Sequence, residues 1–481
     1  MNKRLTFKLI GNVLLIESIL LVVSLVVSLL TGGTDAIALL ISAVITAAAG
    51  FVLSRLKPKN DNLRAREGFA VCALTWVLVS FFGALPFWFY GSIPSFIDAY
   101  FEVVSGFTTT GATILTDVEA LPKGLLFWRS FTHWAGGMGV LVLSLALIPK
   151  MGARSIHLMR AESPGPSVDK LVPRVGNNAK ILYLLYIGLS VLMLICLLLT
   201  GMSLYDALIH TFGAAGTGGF SNYNASVAHF DSAAVDFIIA LFMMFFGVNF
   251  SMYYFLLKRN WRSLLHNSEL KAYLGAILFS TVAIAFNIVN RYEGNFLTAL
   301  RYSFFQVSSI MTSTGYATAD FNQWAHFSRT LLVILMFIGA SAGSTGGGIK
   351  VVRIQLLFKV MVREIRHTIH PKSVNAVKMD GRQVSDSVIA GVLSFFSAYM
   401  LILMIATLIV SLDGYSFETT FTAVIATLSN IGPGLGMVGP TGNFSHFSDL
   451  SKIVLTLCML IGRLEIFPML MLFVPSAWRR D

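Results

Sequence analysis

Charge is scarce in this chain. Only 12% of its 481 residues are Asp, Glu, Lys or Arg, while 56% are hydrophobic; soluble domains carry about 25% charged residues. Stretches such as 9–30, 181–199 and 331–340 offer water almost no polar surface, which excludes a soluble globular protein. Cysteine is scarcer still. Cys72, Cys196 and Cys458 each lie inside an apolar run, without CxxC spacing. They read as small core residues, and neither a disulfide framework nor a thiolate metal site follows. No HExxH motif, no GxSxG nucleophile elbow and no paired intramembrane carboxylates are read in the chain, so it does not read as an enzyme.

The charge that is present is unevenly placed. A net charge of +11 suits nucleic acid in principle, but the cations sit in short segments between apolar runs. Taking alternate loops as cytoplasmic, these hold Lys3, Arg4 and Lys8, then Arg55 to Arg66, Lys150 to Lys180, Lys258 to Lys271, Lys350 to Arg382, and Arg479 with Arg480. The opposite loops hold only Lys123, Arg129, Arg291, Arg301, Arg329 and Lys452. This is the positive-inside asymmetry, and it places both termini in the cytoplasm. Topology accounts for the basic balance, so no nucleic-acid partner is needed. No small-residue cleavage site follows the first apolar stretch, which reads as a retained helix and not a signal peptide.

Two apolar spans, about 5–30 and 36–56, form a hairpin around Gly32-Gly33-Thr34-Asp35, with Glu17 as nearly their only charge. It reads as an accessory pair facing lipid or a partner subunit. From Glu67 a unit recurs: a full span, a half-length apolar run too short to cross a bilayer, a turn, and a second full span. The half-length runs are 95–107, 204–215, 296–307 and 417–428. Their turns contain Thr109-Thr110-Gly111, Thr217-Gly218-Gly219, Ser313-Thr314-Gly315 and Asn430-Ile431-Gly432. The turn glycines recur at roughly hundred-residue intervals, and self-similarity of this kind sets the architecture. Asp98-Ala99 precedes Gly111 by the same interval as Asp206-Ala207 precedes Gly219. The expected fold is an all-α polytopic membrane protein: four tandem span–pore-helix–span repeats around one central pore, preceded by the two-helix N-terminal hairpin. The expected boundaries are 1–66 for the hairpin and 67–165, 166–266, 267–380 and 381–481 for the four repeats. Non-helical backbone at membrane depth is tolerated only against protein or a water-filled cavity, so the four turns are expected to face one axis. Gly136, Gly247, Gly339 and Gly462, each in a second span, read as close-packing glycines.

Such turns suit a cation. Successive carbonyls face one axis only where the backbone alternates in sign, and glycine reaches positive φ without steric penalty. Gly111, Gly219, Gly315 and Gly432 are the expected pivots. Carbonyls of Thr110, Gly218, Thr314 and Ile431 would form one ring, and those of Thr109, Thr217, Ser313 and Asn430 a deeper one, replacing the water shell of an ion as in potassium filters. Half-helices entering from outside would aim their partially negative C-terminal ends at the cavity. Asp98, Asp206 and Glu418, near the starts of half-helices, either stabilise those helix N-termini or also concentrate cations.

In the third unit, small residues from Gly339 to Lys350 interrupt the exit helix. Gly339, Gly343, Gly346, Gly347 and Gly348 make continuous helix costly there. A flexible break beneath the filter is expected, and hence a gate; a static kink is the alternative. The stretch is not a phosphate loop, because the GK[ST] ending is missing. Arg463 lies mid-span, where an ionisable residue faces a cavity or a partner. It is either a positive barrier below the filter or half of an inter-helix ion pair, since Glu465 does not share its helix face. His133 and His210 admit a proton relay, but beside Trp134 and Thr211 they read rather as structural donors.

Longer words carry a family resemblance. They are Gly83-Ala84-Leu85-Pro86-Phe87, Phe107-Thr108-Thr109-Thr110-Gly111-Ala112, His133-Trp134-Ala135-Gly136-Gly137-Met138-Gly139 and Arg160-Ala161-Glu162-Ser163-Pro164-Gly165-Pro166, followed by Gly218-Gly219-Phe220-Ser221, the run from Ala342 to Lys350, and Asn430-Ile431-Gly432-Pro433-Gly434. With these the chain resembles the Trk-type (TrkH-like) potassium uptake subunits of the Trk/Ktr/HKT superfamily, and its hairpin resembles the Trk and not the shorter Ktr branch. The resemblance implies a homodimer in a bacterial inner membrane, each protomer with its own pore. It also implies a cytosolic nucleotide-binding regulatory subunit (RCK-type, TrkA-like) docked beneath. It assigns Gly339 to Gly348 to an intramembrane gate loop with Arg463 near it, and makes the potassium ion the expected ligand, with no organic cofactor. The second turn is richer in glycine than its sisters, which leaves open what supports it. A proton- or sodium-coupled secondary cation symporter is the competing reading; few intramembrane acids and four parallel units favour a pore.

Overall fold

The computed structural model describes residues 2–58, 65–139, 175–372 and 375–478. The N-terminal hairpin consists of α1 (Lys3–Leu30) and α2 (Ala36–Ser54), followed by α3 (Ala65–Tyr90), α4 (Phe96–Phe107) and α5 (Lys123–Gly137). The second unit holds α6 (Val175–Leu199), α7 (Leu204–Gly216), α8 (Ala233–Phe246), α9 (Phe250–Leu257) and the short α10 (Trp261–Leu265). The third holds α11 (Ser268–Ile288), α12 (Phe296–Met311), α13 (His326–Ile338) and α14 (Val351–Ile369). A two-strand ribbon, Lys378–Met379 against Arg382–Gln383, leads to α15 (Asp386–Val410), α16 (Phe417–Leu428), α17 (Asp449–Arg463), α18 (Phe467–Met471) and α19 (Pro475–Trp478). Among the described residues six helices are long and apolar enough to cross a membrane, and α8 with α9 adds a bent seventh. This is a helical membrane protein.

The half-length helices α4, α7, α12 and α16 run 12, 13, 16 and 12 residues. At 1.5 Å per residue none spans a bilayer core of about 30 Å. Each starts on a polar cap. Ser95, Ser203 and Ser416 accept from the main-chain N–H three residues on, and Asn295 from those of Leu297 and Thr298. Such caps satisfy orphan donors and contribute about 1 kcal/mol each. The helix that follows each turn packs on the half-helix of the next unit: α5 on α7, α8 on α12, α13 on α16, and α17 back on α4. The contacts close a circuit.

Three expectations are corrected. The second spans of units two and four are not continuous: α8 meets α9 at 92° across Gly247 to Asn249, and α17 stops at Arg463, after which Glu465 and Ile466 have φ of 55° and 70°. Hydropathy sees one apolar run in each case because the break costs no hydrophobicity. The second full span of the first repeat is expected over 125–148; its part from residue 140 on lies outside the described residues, as does the Arg160–Pro166 word.

The outer cations are not all loop residues either. Arg129, Arg301, Arg329 and Lys452 lie within α5, α12, α13 and α17. Their partners are acids on neighbouring helices: Glu102 at 2.6 Å, Asp236 at 2.7 Å, Glu418 at 2.6 Å and Asp98 at 2.7 Å. Three of these pairs tie unit two to three, three to four and four to one. Arg129 reaches unit two by donating to the Ser221 carbonyl at 3.0 Å.

The hairpin, finally, is not only lipid-facing. α1 packs on α3 and α5, and Glu17 is buried. Asp35 accepts from the main-chain N–H of Leu125 at 2.7 Å, capping α5 from outside where Pro122 supplies no side-chain cap.

Candidate functional site: a ring of four turns

The four half-helices end in the same way. Thr109, Thr217, Ser313 and Asn430 are left-handed, with φ between 54° and 58°. The next residue in each case, Thr110, Gly218, Thr314 or Ile431, donates at 2.8 Å to the carbonyl five residues earlier. That bond and the left-handed residue make a Schellman ending. A left-handed residue with a side chain costs roughly 1–2 kcal/mol, so four of them mark one imposed conformation. Glycine is the usual occupant, and its absence here hid the motif from sequence reading.

Side chains secure these positions. Thr109 Oγ1 accepts from Arg463, Thr217 Oγ1 donates to Gly216 O at 2.6 Å, and Ser313 Oγ to Thr312 O at 2.6 Å. Asn430 Nδ2 donates to Thr110 Oγ1 and to Met459 O, both at 2.9 Å. Hydroxyl pairs Thr108–Thr110 (2.8 Å) and Thr312–Thr314 (2.7 Å) brace the first and third turns alike.

One residue on, Gly111, Gly219, Gly315 and Gly432 have φ of 80°, 78°, 87° and 94°. A side chain on any of them would overlap a neighbouring carbonyl. Gly111 abuts the oxygen of Gly218, Gly219 that of Thr314, Gly315 that of Ile431, and Gly432 that of Thr110. These contacts run in the same circuit as the helices. A cavity of about 130 Å³ is lined by all four glycines. The C-terminal ends of the half-helices and the carbonyls give the ring a partially negative lining.

Beneath the third and fourth turns lies the break between α13 and α14. Gly339, Gly343, Gly348 and Lys350 have positive φ there, between 69° and 85°. The segment plugs the gap between α8 and α9. Ser341 N donates to Gly247 O (3.1 Å), Thr345 Oγ1 to Phe246 O (3.2 Å), and Phe250 N to Gly343 O (3.0 Å). Backbone groups freed by two helix breaks thus satisfy each other, which is what membrane depth requires.

Gly347 N donates to Ser313 Oγ at 2.5 Å, and a side chain on Gly346 or Gly347 would press on the Thr312 or Ser429 carbonyl. Lys350 is buried and donates through Nζ to Gly346 O. Glu269 holds Ala342 N at 2.7 Å. The letters Gly339-Ala340-Ser341-Ala342-Gly343 do spell GxSxG, but they follow a helix, not the strand of a nucleophile elbow.

Arg463 sits against this loop. It donates to Thr345 O (2.8 Å), Gly136 O (2.6 Å), Gly137 O (2.7 Å) and Thr109 Oγ1 (3.2 Å). In the same stretch Glu465 pairs with Arg353, at 2.6 and 3.2 Å. Asp98, Asp206 and Glu418 occupy the first turns of α4, α7 and α16. His133 and His210 are buried donors to carbonyls, through Nδ1 to Gly106 and Asp206.

Fold and site together define a polytopic helical membrane protein whose non-helical backbone converges on one buried ring. The family described as TrkH, cation transport protein, matches residues 36–480. Relatives include the Trk system potassium uptake proteins TrkH of Salmonella typhimurium, 40% identical over 428 residues and 88% of each chain, and of Halomonas elongata, 36% identical over all of both chains. The crystal structure of the potassium transporter TrkH from Vibrio parahaemolyticus superimposes with a TM-score of 0.88 at 32% identity, covering both chains fully. The chain belongs to the TrkH family of cation transport proteins.

Proposed function

We propose that this chain takes up potassium through one central pore made by four tandem repeats, with the four turns as its selectivity filter. The observation that carries the reading is the circuit in which each turn glycine abuts the carbonyl of the next unit. Backbone oxygens of Thr110, Gly218, Thr314 and Ile431, with those of Thr109, Thr217, Ser313 and Asn430 beneath, would replace the hydration shell of the ion. Gly339 to Gly348 is the gate and Arg463 the charge that raises the barrier below the filter. The setting is the inner membrane with both termini cytoplasmic. The active assembly is a homodimer with a nucleotide-binding regulatory subunit of the TrkA type beneath it; the relatives' names place them in a Trk system.

Purified protein in liposomes, with K⁺, Na⁺ and the pH gradient varied separately, tests this. Flux that follows the K⁺ gradient alone is expected. Flux that requires a proton or Na⁺ gradient would instead establish the symporter. Glu17 favours that second reading, being buried at membrane depth with no hydrogen bond to either oxygen among the described residues.

A further inference from the structure

We propose that His133 is a positioning residue for ion selection: its imidazole fills the side-chain space that Gly218 leaves empty and so holds the Gly218 carbonyl in the ring. The inference rests on the ring being the filter.

Thr110, Gly218, Thr314 and Ile431 are equivalent positions in four turns of the same conformation, and three of them carry side chains. Gly218 has none, and its turn lacks the hydroxyl pair that braces the first and third. A Cβ on Gly218 would fall onto Nδ1, Cγ and Cδ2 of His133, the body of the ring and not a flexible tip. Gly216 in the same turn lies against the His133 main chain. The imidazole is fully buried, donates through Nδ1–H to Gly106 O at 2.6 Å, and packs 4.2 Å from the Phe220 ring. Arg129, one turn earlier on α5, lays its guanidinium 3.4 Å from that same phenyl ring. His133 therefore spans from the last turn of α4 in unit one to the filter turn of unit two.

The sequence carries the complement. His133 stands three residues before Gly136, and the same offset from Gly247, Gly339 and Gly462 gives Met244, Met336 and Met459. One unit has a rigid ring where the others have an adaptable thioether, and that ring meets the one turn with glycine at the carbonyl position. A bare Gly-Thr-Gly-Gly turn has the most backbone freedom of the four, so an external wedge is what fixes its oxygen.

The test is a double-mutant cycle in liposomes, read as the K⁺/Na⁺ flux ratio. Gly218→Ala should lower the ratio about tenfold, and His133→Ala about fivefold. The double variant should select better than Gly218→Ala alone, because the new methyl enters vacated space. His133→Phe, which keeps the wedge and loses the bond to Gly106, should lie nearer wild type than His133→Ala. If Gly218→Ala does not fold, recovery of monodisperse protein in the double variant is the expected result, and no recovery overturns the steric pairing. An unchanged ratio in either single variant, or losses that simply add, also overturns it. A wild type with no K⁺ preference would overturn the filter reading itself; a selective wild type with an additive cycle overturns only this inference.

Discussion

Arg463 donates to the hydroxyl of Thr109 at 3.2 Å, joining α17 to the first turn of the ring across 354 residues of sequence. The same guanidinium holds carbonyls of the loop between α13 and α14 and of the end of α5. One side chain thus ties turn, loop and helix end together. Its planar fork explains why arginine, and not lysine, stands here.

Replacing Arg463 with Ala should raise cation flux by about tenfold or more, since a positive charge beneath the ring is lost and Thr345 is released. Arg463→Lys should fall between, keeping the charge without the four-way bonding. Tracer uptake into liposomes measures this. A variant that loses only thermal stability, at unchanged flux, would leave Arg463 a structural tie.

Gly315→Ser should weaken selection of K⁺ over Na⁺ by about tenfold. Its φ of 87° costs a side chain roughly 1–2 kcal/mol, and the new Cβ would overlap the Ile431 carbonyl. Gly391→Ala in α15, where a Cβ would meet nothing within 4 Å outside its own helix among the described residues, is the matched control and should leave permeability ratios alone. Equal ratios in both variants would remove Gly315 from the filter.

Deleting Gly346 to Gly348 should raise flux. It removes the Gly347 donor that ties the loop to Ser313 of the third turn, and the Gly346 acceptor with which Lys350 braces the loop itself. Folded protein with equal or lower flux would show that the break does not gate.

Glu102→Gln should destabilise far more than Glu418→Gln. Glu102 and Arg129 have 0% and 3% of their side chains exposed, so removing one charge strands the other at a cost of about 3–5 kcal/mol. Glu418 is 40% exposed, and its pair with Arg329 is worth about 1 kcal/mol or less. Unfolding of the detergent-solubilised variants measures the difference, and similar losses would contradict this ranking.

Much of the fold was legible in the residues. Apolar runs mark α1, α2, α3, α6, α11 and α15 because each must carry its own transfer free energy into lipid. The half-helices and their glycine turns were legible too, since a run too short to span, followed by hydroxyls and glycine, is a local pattern. Less legible were the left-handed Thr109, Thr217, Ser313 and Asn430, which carry side chains where glycine is the usual sign. The breaks at Gly247 and Arg463 were hidden by unbroken hydropathy.

What the sequence alone determined is therefore what a residue does with lipid or within its own stretch: which stretches cross, which stop halfway, and which of these run into a glycine turn. Tertiary structure decided who meets whom. The order in which the turns close, the choice of Arg353 for Glu465, the cations of α5, α12, α13 and α17 as staples between helices, and His133 opposite Gly218 all depend on partners 27 to 354 residues away. Buried hydrogen bonds and ion pairs stabilise only when both members are in place, and no local pattern records where the second one stands.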